Sequence, residues 1–156
     1  MRFEHLIEIN SPAAGLQTAV PALTREQLWQ GLMQRVLMPG RFPMGPESCA
    51  CVETSPGVYA RTIVFGAHVM RDEVVCQPQD RVVFTPQPHG DTTPIVLTVS
   101  IEAPRPGQMV LRFVYESAQA LPPEEAYFSD YRHNAWLHHD MDMVRTLRQW
   151  LTDGEL

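Results

Sequence analysis

The sequence predicts an α+β fold in which a curved antiparallel sheet of six or seven strands wraps around a long C-terminal helix. Two observations predict it. Short alternating segments separated by turn residues fill the chain between residues 47 and 117, and a helical pattern then runs from about Pro123 to Thr152. One sheet with one apolar face, and one long helix available to cover that face, are typical of this class.

The first elements are a strand and a helix. Residues Phe3 to Ile9 alternate between apolar and polar positions, which predicts a half-buried strand. Residues 11–22 are small, apolar and interrupted by proline, which fits a loop or a helical turn. Thr24 and Gln27 then form a capping-box pattern, and Pro39-Gly40 ends the helical periodicity. We therefore expect a helix over residues 24–37.

Six further segments have the composition and length of strands, with turn signals such as Ser55-Pro56-Gly57 and Arg105-Pro106-Gly107 between most of them. They are ESCACVET, VYARTIVFG, HVMRDEVVCQ, RVVFTP, PIVLTVSIEA and QMVLRFVYES. The last two alternate most regularly, which predicts that one face is apolar. The apolar positions are Ile95, Leu97, Val99, Ile101, Met109, Leu111, Phe113 and Tyr115.

The C-terminal helix begins with two prolines and two glutamates, residue types that favour a helix N-terminus. Its second half carries an apolar stripe formed by Leu137, Met141, Val144, Leu147 and Leu151. Upstream, the stripe changes to aromatic and polar-tipped residues, namely Tyr127, Tyr131 and His138. We expect those polar groups to lie at one end of the space between helix and sheet.

Composition excludes several classes of function. The 156 residues suit one domain over residues 1–156, with 44% hydrophobic and 19% charged residues. A net charge of −6 disfavours nucleic acid as a partner. All twelve basic residues are arginine, which excludes lysine-based covalent chemistry. No apolar run is long enough to span a membrane, and the first residues lack the pattern of a signal peptide, so we expect a cytoplasmic protein.

Metal, cofactor and disulfide sites are not predicted. The three cysteines, Cys49, Cys51 and Cys76, include no CxxC pair, so we expect free thiols. His138 and Asp142 are four residues apart on one helix face, a spacing that could offer a metal two ligands. Nothing at helical spacing completes such a site, and a solvated helix face with ion pairs such as Asp142 with Arg145 is the simpler interpretation. We therefore expect no metal and no cofactor.

The element order resembles that of the START-like, or SRPBCC, superfamily, which includes birch-pollen-allergen-like proteins and aromatic polyketide cyclases. The segments FEHLIEIN, LTREQLWQGL, TIVFG, HVMRDEVV, DRVVF and DMDMVRTLRQ are most similar to one branch, the AtaL-like family of unknown function. The resemblance implies a helix-grip fold, with a cavity between the sheet and the last helix. It carries no catalytic fingerprint, and it does not extend to the Pro- and Cys-rich residues 39–54.

The resemblance and the alternation together define candidate cavity residues. They are Phe84, Leu97, Val99, Leu111, Phe113, Tyr115, Tyr127, Tyr131 and His138. The facing of the strand at residues 58–65 is not decidable from its pattern, so Arg61 could point inward, as a handle for an anion or carbonyl, or outward.

Three functions fit these features. The favoured one is a non-catalytic protein that binds a small hydrophobic or aromatic molecule. The second is an enzyme of the cyclase or dehydratase type acting on a polyketide-like substrate, with His and Tyr as acid–base groups. The third is a protein-interaction module without a ligand. No nucleophile or phosphate-binding motif supports an enzyme. The sequence does not decide between a monomer and a homodimer.

Overall fold

The computed structural model describes residues 1–12 and 21–156. The predicted loop or turn over residues 11–22 therefore lies largely outside the described residues. The elements otherwise follow the predicted order of strand, helix, six strands and C-terminal helix.

Seven strands form one sheet. They are β1 (Arg2–Asn10), β2 (Ser48–Ser55), β3 (Val58–Phe65), β4 (His68–Gln77), β5 (Arg81–Pro86), β6 (Val96–Glu102) and β7 (Met109–Glu116). Their order in the sheet is β1-β7-β6-β5-β4-β3-β2, and every neighbouring pair is antiparallel. From β2 to β7 each strand pairs with the next one along the chain, and β1 pairs with β7 at the other end of the order. The predicted α+β fold with a curved antiparallel sheet is confirmed.

The first helix, α1 (Arg25–Leu37), begins where the sequence predicts. The Thr24 hydroxyl accepts a hydrogen bond from the Gln27 backbone N–H, and the Gln27 side chain accepts one from the Thr24 N–H. These two bonds complete the capping box. Near the middle of α1, Gly31 faces Leu147, and a Cβ built on Gly31 would lie 2.6 Å from Leu147 Cδ2. The absence of a side chain therefore allows α1 to approach the last helix closely.

The C-terminal helical region differs from the prediction of one unbroken helix. A short helix, α2 (Pro123–Tyr127), is followed by the long helix α3 (Ser129–Thr152). They are separated at Phe128, whose backbone lies at φ −96° and ψ 12°, in the sparsely populated bridge region. The break lies ahead of Tyr131, so the long helix itself is continuous through its contact with the sheet.

The buried face of α3 is rotated from the predicted stripe. Leu137 and Met141 are only half-buried and Leu151 packs at the margin of the core, whereas Val144 and Leu147 are buried as predicted. The residues that α3 buries fully are Asp140, Met143, Val144, Leu147 and Trp150. The predicted stripe does not include Asp140, and an aspartate is rarely buried without a partner. Its burial shifts the inward face of the helix.

The core lies between the inner face of the sheet and the two longer helices. It includes Leu28, Leu32 and Val36 of α1, together with the inward residues of β4 to β7. Among the described residues, no helix is both long and apolar enough to cross a membrane.

Candidate ligand-binding cavity

A cavity of about 300 Å³ lies among the inner face of the sheet, α1, α3 and the segment that follows α1. We call it the inner cavity. Most of its wall is apolar, and the polar groups are few. The apolar lining comprises Pro39, Phe42, Pro43, Met44, Pro46, Ile63, Phe65, Met70, Phe84, Pro86, Ile95, Leu97, Trp136 and Met143, and the polar lining comprises Arg35, Arg61, Asp72, Tyr115 and His139. An apolar cavity with a few polar groups is the usual form of a small-molecule site.

A buried carboxylate organises one wall. Asp140 of α3 is completely buried, and its two oxygens contact three other elements. Oδ2 accepts a hydrogen bond of 2.6 Å from the Tyr115 hydroxyl of β7, and Oδ1 accepts one of 3.1 Å from Arg35 Nη1 of α1. His5 Nε2 of β1 lies 3.0 Å from Oδ2. A buried charge needs this kind of compensation, because an unpaired one is very costly.

His5 is the least satisfied member of this network. Its side chain is about 10% exposed, and it packs against the rings of Phe3 and Phe113. Although Nε2 is near Asp140, neither ring nitrogen makes a properly aligned hydrogen bond to a described residue. His5 therefore contributes packing and a close polar contact rather than a directed bond.

A second buried ion pair supports the opposite wall. Arg61 and Asp72 are directly paired residues of β3 and β4, and Nε and Nη2 of Arg61 donate to the two Asp72 oxygens at 2.8 and 2.6 Å. Arg61 Nη1 also donates to the carbonyl of Val36 at 2.9 Å. Arg61 therefore points inward, and it satisfies a carbonyl at the C-terminal end of α1, where helix carbonyls lack internal partners.

Arg35 is the polar group with the most donors in this network. Its Nη1 is bonded to Asp140 and lies 3.3 Å from the Met143 sulfur, and the guanidinium also interacts with the Tyr115 side chain. The guanidinium carbons of Arg35 and Arg61 lie 5.7 and 5.2 Å from the centre of the Phe84 ring. Phe84 is thus contacted by both cations, and such contacts favour a charged guanidinium near the cavity.

The pKa values of two groups that line the cavity are shifted from their ordinary values. Burial and the Asp140 carboxylate raise the pKa of Tyr115 well above its ordinary value, so the phenol remains protonated and donates to Asp140. Burial of the imidazole lowers the pKa of His139, and the nearby Arg35 guanidinium lowers it further. Part of His139 still meets solvent, so it lies at the rim of the cavity, where it is neutral at pH 7 and able to accept a proton.

The structure separates the nine predicted cavity residues into three groups. Phe84, Leu97 and Tyr115 line the inner cavity. Val99, Leu111 and Phe113 face the interior but are packed in the core, with no exposed surface. The prediction for the helix residues differs from the structure, because Tyr127 is 84% exposed, Tyr131 is 79% exposed and His138 is also exposed.

Two differences from the predicted helix account for these exposed residues. The break at Phe128 and the rotation of α3 turn the predicted aromatic stripe toward solvent. The helix residues that instead reach the cavity are Trp136, His139 and Met143. These residues lie on the same face of α3 as Asp140. A search for apolar periodicity does not find this face, because it contains a buried aspartate.

No metal site is present among the residues that the structure describes. No group of three or more His, Cys, Asp or Glu residues is close enough there to hold an ion. His138 is exposed, and Asp142 makes the expected ion pair with Arg145. Cys49 and Cys51 on β2 and Cys76 on β4 are free thiols.

Solved structures share this architecture at low sequence identity. StfQ, a di-domain ARO/CYC from the steffimycin biosynthetic pathway, gives a TM-score of 0.71 at 14% identity, covering 97% of this chain and 50% of that chain. The present chain thus spans about half the length of StfQ. The Zhui aromatase/cyclase from Streptomyces sp. R1128 gives a TM-score of 0.61 at 13% identity, covering 96% of this chain and 94% of that chain.

The same architecture also occurs in a solved structure that is not an aromatase/cyclase by name. The Aha1 dimer from Colwellia psychrerythraea gives a TM-score of 0.59 at 11% identity, covering 95% of this chain and 96% of that chain. Identities this low show a common fold and no more. No curated protein matches the sequence.

The family is shown by the sequence itself. A family profile described as acetylaranotin biosynthesis cluster protein L, AtaL, matches residues 7–154, which include every strand and helix of the site except the first residues of β1. The chain therefore belongs to the AtaL family.

Proposed function

We propose that this chain binds a small, uncharged aromatic molecule in the inner cavity and holds it by one carbonyl or hydroxyl oxygen. The observation that carries the proposal is the Arg35 guanidinium at the wall of an apolar cavity, whose five N–H donors exceed the groups that it contacts there, namely Asp140, Tyr115 and Met143. Burying such donors without a partner is costly, so an acceptor brought by a ligand would be stabilised there.

The charge balance supports an uncharged ligand. The cavity wall presents two arginines, Arg35 and Arg61, and each is already paired with a buried aspartate. The two positive charges are thus offset by Asp140 and Asp72. An anionic ligand would have to lose its hydration without gaining an unbalanced cation, whereas a neutral ketone or phenol needs only a hydrogen bond. The aromatic walls formed by Phe84 and Trp136 favour a flat ring.

Binding can be tested with 2-acetylnaphthalene, 2-naphthoate and a variant that fills the cavity. We expect saturable binding of the ketone, followed by fluorescence, and binding of 2-naphthoate at least about tenfold weaker. Met70→Trp should weaken ketone binding by at least about tenfold, because Met70 lines the cavity but is 41% exposed, so a larger side chain can be accommodated without unfolding.

Val52→Trp is the matched control for this experiment. Val52 is 62% exposed on β2 and lines neither this cavity nor the one beside it, so ketone affinity should stay within about twofold of the parent. If the parent protein shows no saturable binding of either compound, the binding proposal is wrong and the interaction-module hypothesis takes its place.

A cyclase-type reaction is the second candidate, and the position of His139 favours it. A neutral imidazole at the rim can take a proton from the carbon next to a bound carbonyl, while the Arg35 guanidinium stabilises the oxygen that gains the negative charge. The C–H bond electrons pass into the enolate, and the proton moves to the imidazole. Such a step would begin an intramolecular condensation of a polyketide-like substrate.

This step is measurable without knowing the natural substrate. In D2O, the protein should accelerate exchange of the methyl protons of 2-acetylnaphthalene by about 100-fold or more over buffer, as seen by NMR. His139→Gln should remove the acceleration while ketone affinity changes by less than about threefold. Binding without any acceleration in the parent would leave the non-catalytic function and exclude His139 as a general base.

A further inference from the structure

A second cavity adjoins the first. It has a volume of about 680 Å³ and lies among the β3–β4 turn, the segment between β5 and β6, and the start of the helical region. We call it the outer cavity. Met70, Pro86 and Ile95 line both cavities, so the two share a wall at these residues. A molecule whose ring occupies the inner cavity could extend past this wall into the outer one.

The outer cavity differs in chemistry from the inner one. Its lining is rich in polar side chains, namely His68, Gln87, His89, Thr92, Thr93, Glu125 and Arg132. Arg71 also lines it, but its neighbours Met70 and Asp72 face the interior, so strand alternation turns the Arg71 side chain away. A polar lining beside an apolar cavity indicates a ligand with an apolar head and a hydrogen-bonding tail.

Two charged groups that line the outer cavity lack partners among the described residues. The Glu125 carboxylate makes no hydrogen bond and no ion pair to a described residue, and its Oε2 is shielded from solvent. An acceptor-only group held in this way is stabilised by a donor. The Arg132 side chain also makes no hydrogen bond to a described residue, and its guanidinium carbon lies 5.9 Å from the centre of the Trp136 ring, which lines the inner cavity. Arg132 is therefore a donor at the junction between the two cavities.

One uncharged group satisfies both. A secondary amide carries one N–H donor and one carbonyl acceptor, whereas an ester or ketone carries only the acceptor. We infer that the ligand of this protein has an amide-bearing chain that extends from its aromatic ring into the outer cavity, where the amide N–H bonds to Glu125 and the amide carbonyl to Arg132. This inference rests on the proposed function, because it requires the ring to occupy the inner cavity.

Three probes with the same naphthalene head separate the two proposals. They are 2-pentylnaphthalene, methyl 4-(2-naphthyl)butanoate and the corresponding N-methyl amide. The hydrocarbon tests the inner cavity alone, the ester adds a carbonyl, and the amide adds the N–H. We expect all three to bind the parent protein, and the amide to bind about tenfold more tightly than the ester in calorimetric or fluorescence titrations.

Substitutions in the outer cavity then test which residues cause the preference for the amide over the ester. Glu125→Ala should reduce the amide-over-ester ratio to within about twofold, and Arg132→Ala should weaken both carbonyl probes while leaving the hydrocarbon unchanged. Glu124→Ala is the matched control: it removes the same charge from the neighbouring position, which is exposed and lines neither cavity, so the ratio should persist.

The possible failures are distinguishable. If neither 2-acetylnaphthalene nor the hydrocarbon binds the parent, the proposed inner site itself is wrong. If the hydrocarbon binds but amide and ester are equal, the inner site stands and the amide inference is overturned. A full amide preference retained in Glu125→Ala would also overturn it, because the donor would then be satisfied elsewhere.

Discussion

Replacing Asp140 with alanine should lower the free energy of unfolding by about 3 to 5 kcal/mol, the usual cost of breaking a buried charged network by removing one partner. The substitution would leave the Tyr115 hydroxyl and Arg35 Nη1 without their acceptor. It would also remove the link that joins α1 and β7 to α3. Urea denaturation followed by circular dichroism, with equal slopes for the parent and the variant, measures the change.

The control for this prediction lies two residues further along the same helix. Asp142 is 53% exposed, and among the residues that the structure describes its carboxylate pairs only with the exposed Arg145. Asp142→Ala should therefore change the free energy of unfolding by less than about 1 kcal/mol. The loss of unfolding free energy in Asp140→Asn should lie between those of Asp140→Ala and Asp142→Ala. The amide oxygen can still accept a hydrogen bond from Tyr115, but the negative charge opposite Arg35 is lost. A loss below about 1 kcal/mol in Asp140→Ala would show that the network contributes little to stability.

The sheet could be predicted because its signals are local. Alternation over residues 95–101 and 109–115 specifies which side chains share a face, and a shift of one residue would expose all of them. Leu97 and Tyr115 accordingly lie on the inner face as predicted, and they are directly paired across β6 and β7. The capping box at Thr24 is equally local, and it fixes the start of α1.

The site was harder to predict because its polar groups depend on contacts between distant residues. Asp140 is separated from Arg35 by 105 positions and from Tyr115 by 25. Without those partners, an aspartate on a helix is expected on the solvent side. The apolar residues alone therefore predict a stripe that is rotated from the face that α3 actually buries. Arg61 could be placed only once the β3–β4 register opposed it to Asp72.

The exposure of the aromatic residues at the start of the helical region was also not predictable from the sequence. Tyr127 and Tyr131 are four residues apart, so an unbroken helix would carry them on one face with the later stripe. The non-helical residue Phe128 interrupts that continuity. Phe128 and its direct neighbours include no glycine or proline, so no local residue indicates the break.

Replacing Arg61 with methionine should also cost about 3 to 5 kcal/mol of unfolding free energy, and its cause can be isolated by a double substitution. Arg61 and Asp72 are both almost completely buried, with side chains 5% and 4% exposed. In Arg61→Met, the Asp72 carboxylate keeps its charge without its partner, and the Val36 carbonyl loses a donor. Denaturation in urea would measure the loss, and Arg71→Met, at an exposed position of β4, should change stability by less than about 0.5 kcal/mol.

The double variant Arg61→Met/Asp72→Leu removes both charges, so it should be more stable than Arg61→Met alone by about 1 to 3 kcal/mol. Its remaining deficit reflects the Val36 and Arg35 carbonyls, to which Arg61 Nη1 donates at the end of α1. Because Arg35 belongs to that last turn, the double variant should recover stability yet bind 2-acetylnaphthalene less tightly than the parent. The single variant Asp72→Leu completes the comparison. If the stability loss of the double variant equals the sum of the losses of Arg61→Met and Asp72→Leu, the two residues are not coupled. If the double variant binds the ketone as tightly as the parent, Arg61 does not position Arg35.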